Sequence, residues 1–260
     1  MKKVLDMMNE FCYVLTQMER AGIYIDRTAL KKLEEEFSIE KKQLEARLTE
    51  LAQEVAGDKP LNLSSSDDLS ALLYSRVPYS KKVWKKEFEL GGGNKPRSMS
   101  PNELNAKILG LSYEEYRTEG KQCPDCKGYG KVSRKRKNGG WTKPIYKCLV
   151  CGTTGIKYKL LPEVSGFRQK IAGVDDLTAH GFTTNKDKLE YLERKASGKA
   201  KEFLKGMVRY NAISSYLSTY INGIWKNVQS TGFLHPEFMQ CVTKTGRLSS
   251  RSPNFQNQPR

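Results

Sequence analysis

No stretch of the 260 residues holds a run of about 18 apolar positions, so no transmembrane helix is expected. The N-terminal Met1-Lys-Lys-Val-Leu-Asp-Met-Met-Asn-Glu10 has basic residues but no uninterrupted apolar core. That excludes a secretory signal and makes a cytoplasmic protein the expectation. Acidic residues are short: 29 Asp and Glu against 45 Lys and Arg leave a net charge of +16. Such an excess repels itself unless a polyanion is present, and nucleic acid is the commonest one. The shortage is sharpest over 121–147, where Asp125 alone faces nine Lys and Arg, a local +8 that is half of the total. Apolar content is modest too, at 38% with a mean hydropathy of -0.64. The length still suffices for one large or two modest domains with a real core.

Six cysteines are present. Cys12 and Cys241 stand alone and are expected to pack as small apolar groups. Cys123-Pro-Asp-Cys126 and Cys148-Leu-Val-Cys151 are separated by 21 residues. One CxxC turn brings two thiolates onto a metal, and two such turns complete a tetrahedral Zn2+. Without an export signal the paired motif reads as metal-binding rather than disulfide-forming, with a redox dithiol or unconnected cysteines as alternatives. Gly128 and Gly130 follow one knuckle, Gly152 and Gly155 the other, and permit the left-handed backbone that points amides at the sulfurs. Gly139-Gly140 sits where a hairpin turn belongs, so 121–157 reads as a zinc ribbon around a structural Zn2+. Arg134, Lys135, Arg136 and Lys137, with Trp141 and Tyr146, make that hairpin a candidate DNA clamp, cations for phosphates and rings for stacking. A solvated charge run near a hairpin tip is the alternative.

Apolar residues at steps of three and four (Val4, Leu5, Met8, Phe11, Leu15, Met18) predict an amphipathic helix over 3–21 that ends at Gly22. Ile23-Tyr-Ile25 is β-prone, and Asp26 caps a long helix with Leu30, Leu33, Phe37, Leu44, Leu48, Leu51 and Val55 on one face. Gly57 closes it and Pro60 prevents its resumption. Ser64 or Ser65 caps a short helix that buries Leu69, Leu72 and Leu73. After Gly91-Gly-Gly93 a further helix is expected from Pro101 to about Gly110. A helix with Leu189, Leu192, Phe203 and Leu204, loosened around Gly198, precedes a second one from Met207 that carries Ala212, Ile213, Tyr216 and Leu217. Gly232-Phe-Leu-His-Pro-Glu-Phe-Met-Gln240 is β-prone.

The last stretch, Val242 to Arg260, is dense in neutral donors and acceptors: Ser249, Ser250, Ser252, Asn254, Gln256 and Asn257, with only Leu248 and Phe255 apolar. Such groups either face water or grip a polar ligand. Gly246 lets the backbone turn, and Arg247 follows it with a planar five-donor fork. Thr245-Gly-Arg-Leu-Ser-Ser, then Pro253-Asn-Phe-Gln-Asn-Gln-Pro-Arg260, resembles the segment "TGRLSS..PNLQNIP.R" of family A DNA polymerases over sixteen positions. Phe255 replaces the usual Leu and Gln258 the usual Ile. Val14 to Asp26 resembles the family's "VL..ME..G..iD", Leu61-Asn-Leu-Ser-Ser65 its "fNlnS", Ser218-Thr-Tyr-Ile221 its "sTYid", and Gly232 to Gln240 its "gRlHp.fnqt". Asn211 and Ser215 stand where an Arg and a Lys are usual, which removes two expected cations.

The resemblance implies a mainly α fold with small β elements (α+β) and an incomplete polymerase architecture. Residues 1–26 would be a palm-entry helix, 27–80 the first part of a thumb, 81–178 an insertion carrying the zinc ribbon, 179–230 the second part of the thumb, and 231–260 the first strands of a palm. It implies primer-template DNA as partner, held by Lys244, Thr245, Arg247, Ser249, Asn254, Gln256 and Asn257, with a complementing polymerase half and replication accessory proteins as further partners. The metal-binding aspartates of the family lie beyond its matching segment. No catalytic residue is therefore expected among 1–260, Mg2+ belongs only to the complete active site, and nucleotide transfer by this chain alone is not expected. The expected place is the cytoplasm, that of a bacterial host for a phage source. A stand-alone zinc-ribbon DNA-binding protein is the alternative; it explains charge and cysteines but not the ordered matches. Cys123 to Gly130 also resembles the CxxCxGxG repeat of DnaJ-type chaperones, which need four repeats where this chain has one and an imperfect second.

Overall fold

The structure, a computed structural model, describes residues 2–58, 60–78, 80–90, 97–99, 101–110, 121–137, 139–149, 151, 155–157, 163–240, 242–243 and 245–255. Helices dominate, and five two-stranded antiparallel sheets are present among the described residues. The chain forms two compact units, Met1–Leu48 with Lys205–Arg260, and Thr49–Leu204. No helix among the described residues is long and apolar enough to cross a membrane.

In the first unit, helix α1 (Lys2–Ala21) ends at Gly22, whose φ of +68° suits a residue without a side chain. Gly22 is also hemmed in, since a Cβ there would lie 2.7 Å from the His235 ring. Strand β1 (Ile23–Tyr24) follows, and Asp26 then caps α2 (Arg27–Ala56), its Oδ1 accepting the N–H groups of Thr28 and Ala29 at 2.9 and 3.1 Å. The expected apolar face of α1 is mostly open. Leu15 is buried and Met8 half-buried, while Phe11 and Met18 are exposed; the side chains of Val4 and Leu5 are not described. Cys12 is likewise exposed rather than packed, because it lies on this open stretch. Near the helix end Phe238 N–H donates to Glu19 Oε1 at 2.6 Å and His235 Nδ1 meets the Glu19 carbonyl at 2.8 Å, and in mid-helix Gln240 Nε2 donates to Cys12 Sγ at 3.4 Å.

Facing α2 in this unit is the later part of α7 (Gly198–Ser215), which runs on through a π-helical turn, Tyr216–Ile221, into α8 (Asn222–Asn227). Arg209 grips Glu40 with two hydrogen bonds of 2.7 Å, Trp225 Nε1 donates to Glu34 at 2.8 Å, and the Phe37 and Tyr216 rings lie 5.7 Å apart. The second helix expected from Met207 instead begins at Gly198 and passes through Met207 unbroken. The break lies at Ala196 and Ser197, ahead of Gly198 with its φ of +56°. Gly206, which resembles a breaker, serves close packing: a Cβ there would sit 2.9 Å from Leu48 Cδ2.

Hydrogen bonding to Arg209 holds the Glu40 carboxyl below the usual carboxylate range. A depressed pKa stabilises the fold fully above the unfolded-state value, and the gain is lost as pH falls through the folded one. Arg209 and Glu40 are 46% and 36% exposed, so solvent screening limits the pair to about 0.5–1 kcal/mol. Glu40→Gln is expected to lower stability by that amount at neutral pH, and denaturant curves at low pH should show the gap closing. An equal gap at both would contradict the assignment.

In the second unit, α3 (Ser66–Tyr74) is capped by Ser65, which accepts from Asp68 N–H at 3.3 Å, and buries Leu69, Leu72 and Leu73 as expected. The unit also holds α4 (Lys81–Glu87), α5 (Pro101–Ile108), α6 (Lys186–Lys195) and the hairpin of β6 (Leu177–Thr178) with β7 (Gly181–Phe182), which packs against α3. Trp84 is fully buried with its ring 4.7 Å from Phe88 and 5.4 Å from Phe182. Residues 163–169 strap the end of α3, where Phe167 N–H donates to the Leu72 carbonyl and Gln169 N–H to that of Leu73, both at 2.8 Å. Gly166 is required there, because a Cβ would lie 2.2 Å from the Leu72 oxygen. Both ends of the 81–178 stretch therefore pack against α3 and the β6–β7 hairpin. Asp176 and Lys188, nearly fully buried at 7% and 9% exposure, pair at 2.6 Å, and Asp176 also takes the Ala172 N–H. The triple-glycine run 91–93 lies outside the described residues.

Candidate metal centre and nucleic-acid interface

Cys123, Cys126, Cys148 and Cys151 converge, buried, with all four sulfurs within 4.8 Å of one another. Cys123 and Cys148 sulfurs are 3.9 Å apart, and those of Cys126 and Cys151 3.6 Å. A tetrahedron of metal–sulfur bonds of about 2.3 Å has edges of about 3.8 Å, so the cage fits one metal ion. Its two knuckles are stitched to each other: Cys123 N–H donates to the Gly155 carbonyl at 2.8 Å and Cys148 N–H to that of Gly130 at 3.1 Å. They touch so closely that a Cβ on Gly155 would lie 2.1 Å from the Gly128 oxygen. Gly128, Gly130 and Gly155 all have positive φ, as their positions after the knuckles suggested. The amides of Gly130 and Gly155 point at the Cys126 and Cys151 sulfurs at 3.2 and 3.3 Å. Gly152 lies outside the described residues.

Burial pushes the Cys123 thiol up. Burial pushes Cys126 up as well, but the Gly130 and Gly128 amides and the neighbouring thiols outweigh it, and its pKa lies below that of a free thiol. Such amide–sulfur bonds favour the thiolate that a metal needs. Beneath the four sulfurs, among the described residues, Val132 packs as a partly buried apolar side chain. Its role was not legible, because a single valine in a basic run carries no signal.

Around the cage, β2 (Lys121–Gln122) pairs with β5 (Ile156–Lys157), and β3 (Lys131–Val132) with β4 (Tyr146–Lys147). The second pair continues as a hairpin through a bridge between Lys135 and Trp141, and turns where Gly139, at φ +87°, donates to the Arg136 carbonyl. Arg134, Lys135, Arg136 and Lys137 are all exposed on it, and the Arg134 guanidinium lies 4.4 Å over the Tyr146 ring.

In the other unit, β8 (Phe233–Leu234) pairs with β1, and β9 (Glu237–Met239) with β10 (Ser249–Arg251), in the register Ser249–Met239, Ser250–Phe238, Arg251–Glu237. The connection between β9 and β10 carries the exposed Thr245, Gly246 and Arg247. Gly246 has φ +70° with open space around it, so backbone conformation alone calls for glycine there. Thr243 fixes the turn by donating its hydroxyl to the Arg247 carbonyl at 2.7 Å. Ser249 is half-buried and Asn254 exposed. Ser250, by contrast, turns inward, donating to Asn254 Oδ1 at 3.2 Å and accepting from Phe255 N–H at 3.0 Å. One of the polar residues thus anchors the segment internally rather than facing water or a ligand. Arg251 is paired with Glu237 at 2.6 Å. Lys244, Gln256 and Asn257 lie outside the described residues, as does Cys241.

Residues 163–260 match the model of DNA polymerase family A. The DNA polymerase I of Geobacillus stearothermophilus is 40% identical over 83 residues, 32% of this chain and 9% of that protein. The DNA polymerase I of Treponema pallidum is 39% identical over 79 residues, 30% of this chain and 7% of that protein. The chain therefore spans less than a tenth of these relatives in the matched part. A solved structure described as the POL domain of Pol1 from M. smegmatis in complex with DNA primer-template and dNTP covers 95% of this chain and 25% of its own, at 20% identity and a TM-score of 0.47.

Proposed function

We propose that the chain is part of a family A DNA polymerase and serves it by holding primer-template DNA, a reading supported by the match of residues 163–260 to that family's model. One observation carries the reading: the segment shared with the family is displayed on an exposed turn between β9 and β10, with the Arg247 side chain outward and its backbone fixed by Thr243. Arg247 would enter the minor groove near the primer end, where acceptors are common to all base pairs, which suits an enzyme that must accept any sequence. Lys244, Thr245, Ser249, Asn254, Gln256 and Asn257 would touch sugars and bases beside it. In this reading the helices flanking the metal module are parts of a thumb, 231–260 opens a palm, and the module is an insertion on the thumb. The catalytic carboxylates and their Mg2+ would come from a complementing polymerase half, alongside replication accessory proteins.

The metal is assigned as zinc, because four thiolates in a tetrahedral cage are its usual structural set. Cys123, Cys126, Cys148 and Cys151 would hold it, and it would supply structure rather than chemistry. Arg134, Lys135, Arg136 and Lys137 would add phosphate contacts, so affinity should fall steeply with salt. A self-contained zinc-ribbon DNA-binding protein accounts for the charge and the cage but leaves the 163–260 match unexplained.

Arg247→Ala is the test, read as fluorescence anisotropy of a labelled primer-template titrated with the chain. The expected result is roughly tenfold weaker binding, the loss of a good base-edge contact. Because Arg247 is exposed, the fold should be unchanged, and binding equal to the parent would remove Arg247 from the interface.

A further inference from the structure

Two rings of the 121–157 module stand almost clear of the protein: Tyr129 is 81% exposed and Trp141 68% exposed. Neither contributes to the module's interior, which among the described residues consists of the four cysteines with Val132 against them. Each ring is set among cations. Tyr129 has Lys127 and Lys131 two residues to either side, and Trp141 lies across the hairpin from Lys135. The third ring, Tyr146, is already covered by Arg134. Rings and cations thus alternate on a scaffold that a metal would hold rigid.

Duplex DNA offers phosphates and base edges, but its base faces are covered by stacking. Exposed rings have nothing to stack on there, whereas unpaired bases present a π-face to any flat ring. Ile145 and Leu149 are also exposed and would suit a protein partner. The charge decides against that: nine Lys and Arg to one Asp over 121–147 complement a polyanion. We propose that the metal module binds single-stranded DNA, stacking unpaired bases on Tyr129 and Trp141 while the flanking lysines take the phosphates. This rests on the reading of the chain as a DNA-holding part of a polymerase and assigns the module the unpaired template strand, leaving the duplex to the segment around Arg247.

The test uses the metal-loaded full chain, a labelled single-stranded oligonucleotide of about 20 bases and the duplex of the same sequence, a length that exceeds one small module's site. Trp141→Ala and Tyr129→Ala are each expected to weaken single-strand binding roughly tenfold and duplex binding less than about twofold, with Trp141→Phe within about threefold of the parent. The salt slope should be unaltered in these variants, since the cations remain, but should shrink when Arg134, Lys135, Arg136 and Lys137 are all replaced by alanine. Equal losses on single strand and duplex would overturn the proposal. So would unchanged single-strand binding in both alanine variants, which would instead mark the rings as a protein-docking surface. Either failure leaves the Arg247→Ala result standing, and a null result at Arg247 leaves the ring result standing.

Discussion

Removing the metal with a chelator is expected to unfold the 121–157 module and open its basic hairpin to trypsin, with cleavage among Lys131, Arg134 to Lys137 and Lys147 at rates far above those of the loaded protein. The reason lies in what else could hold the module. Among its described residues the interior is four cysteines with one partly buried valine, and each strand is two residues long. Ordering backbone costs about 1–2 kcal/mol per residue, which that much apolar burial cannot offset. A structural zinc supplies on the order of 10–16 kcal/mol of apparent folding free energy in small modules. Cys126→Ser should act like the chelator, because it removes one of the four thiolate ligands and leaves a hydroxyl that is a poor ligand for the metal. Adding zinc back should restore protection in the parent and not in the variant. A cleavage pattern indifferent to chelation would show that the cage is not what holds the module.

Trp84→Ala is expected to cost about 3–5 kcal/mol, the range for truncating a large buried aromatic. Three contributions meet at this residue. The ring is fully buried against Phe88 and Phe182, its Nε1 donates to the Thr178 carbonyl at 2.9 Å, and that carbonyl belongs to the β6–β7 hairpin on which Phe182 sits. Truncation leaves a cavity, breaks two ring contacts and removes the donor at once. Thermal unfolding should show the midpoint lowered by roughly 10 °C. A shift of about a degree would mean that α4 is peripheral to this core and that its packing against β7 adds little.

Local chemistry was legible wherever a few neighbouring residues decide the outcome. Asp26 and Ser65 cap their helices, Gly22 and Gly139 turn the chain, and the CxxC pairs meet, because each depends only on residues close in sequence or on strict ligand geometry. The expected loosening at Gly198 lies next to the real break, whereas the expected new start at Met207 does not exist, because apolar spacing alone does not show that one helix runs from Gly198 to Ser215. The α1 face was misread for a related reason: periodicity reports which residues could be buried, not what covers them. The Arg209–Glu40 and Lys188–Asp176 pairs carried no sequence signal, since their partners are chosen by tertiary packing among many available charges. In the shared segment, the family likeness of 245–260 was plain, and the matching family model spans 163–260. That Ser250 turns inward while Arg247 faces out follows only from the β9–β10 register.

Position on the DNA tests the central claim most directly. A hydroxyl-radical footprint of the chain on a primer-template with a fixed junction should show minor-groove protection within the last few base pairs before the primer 3′ end, and Arg247→Ala should erase it. Protection spread evenly along the duplex, or unchanged in the variant, would contradict the account.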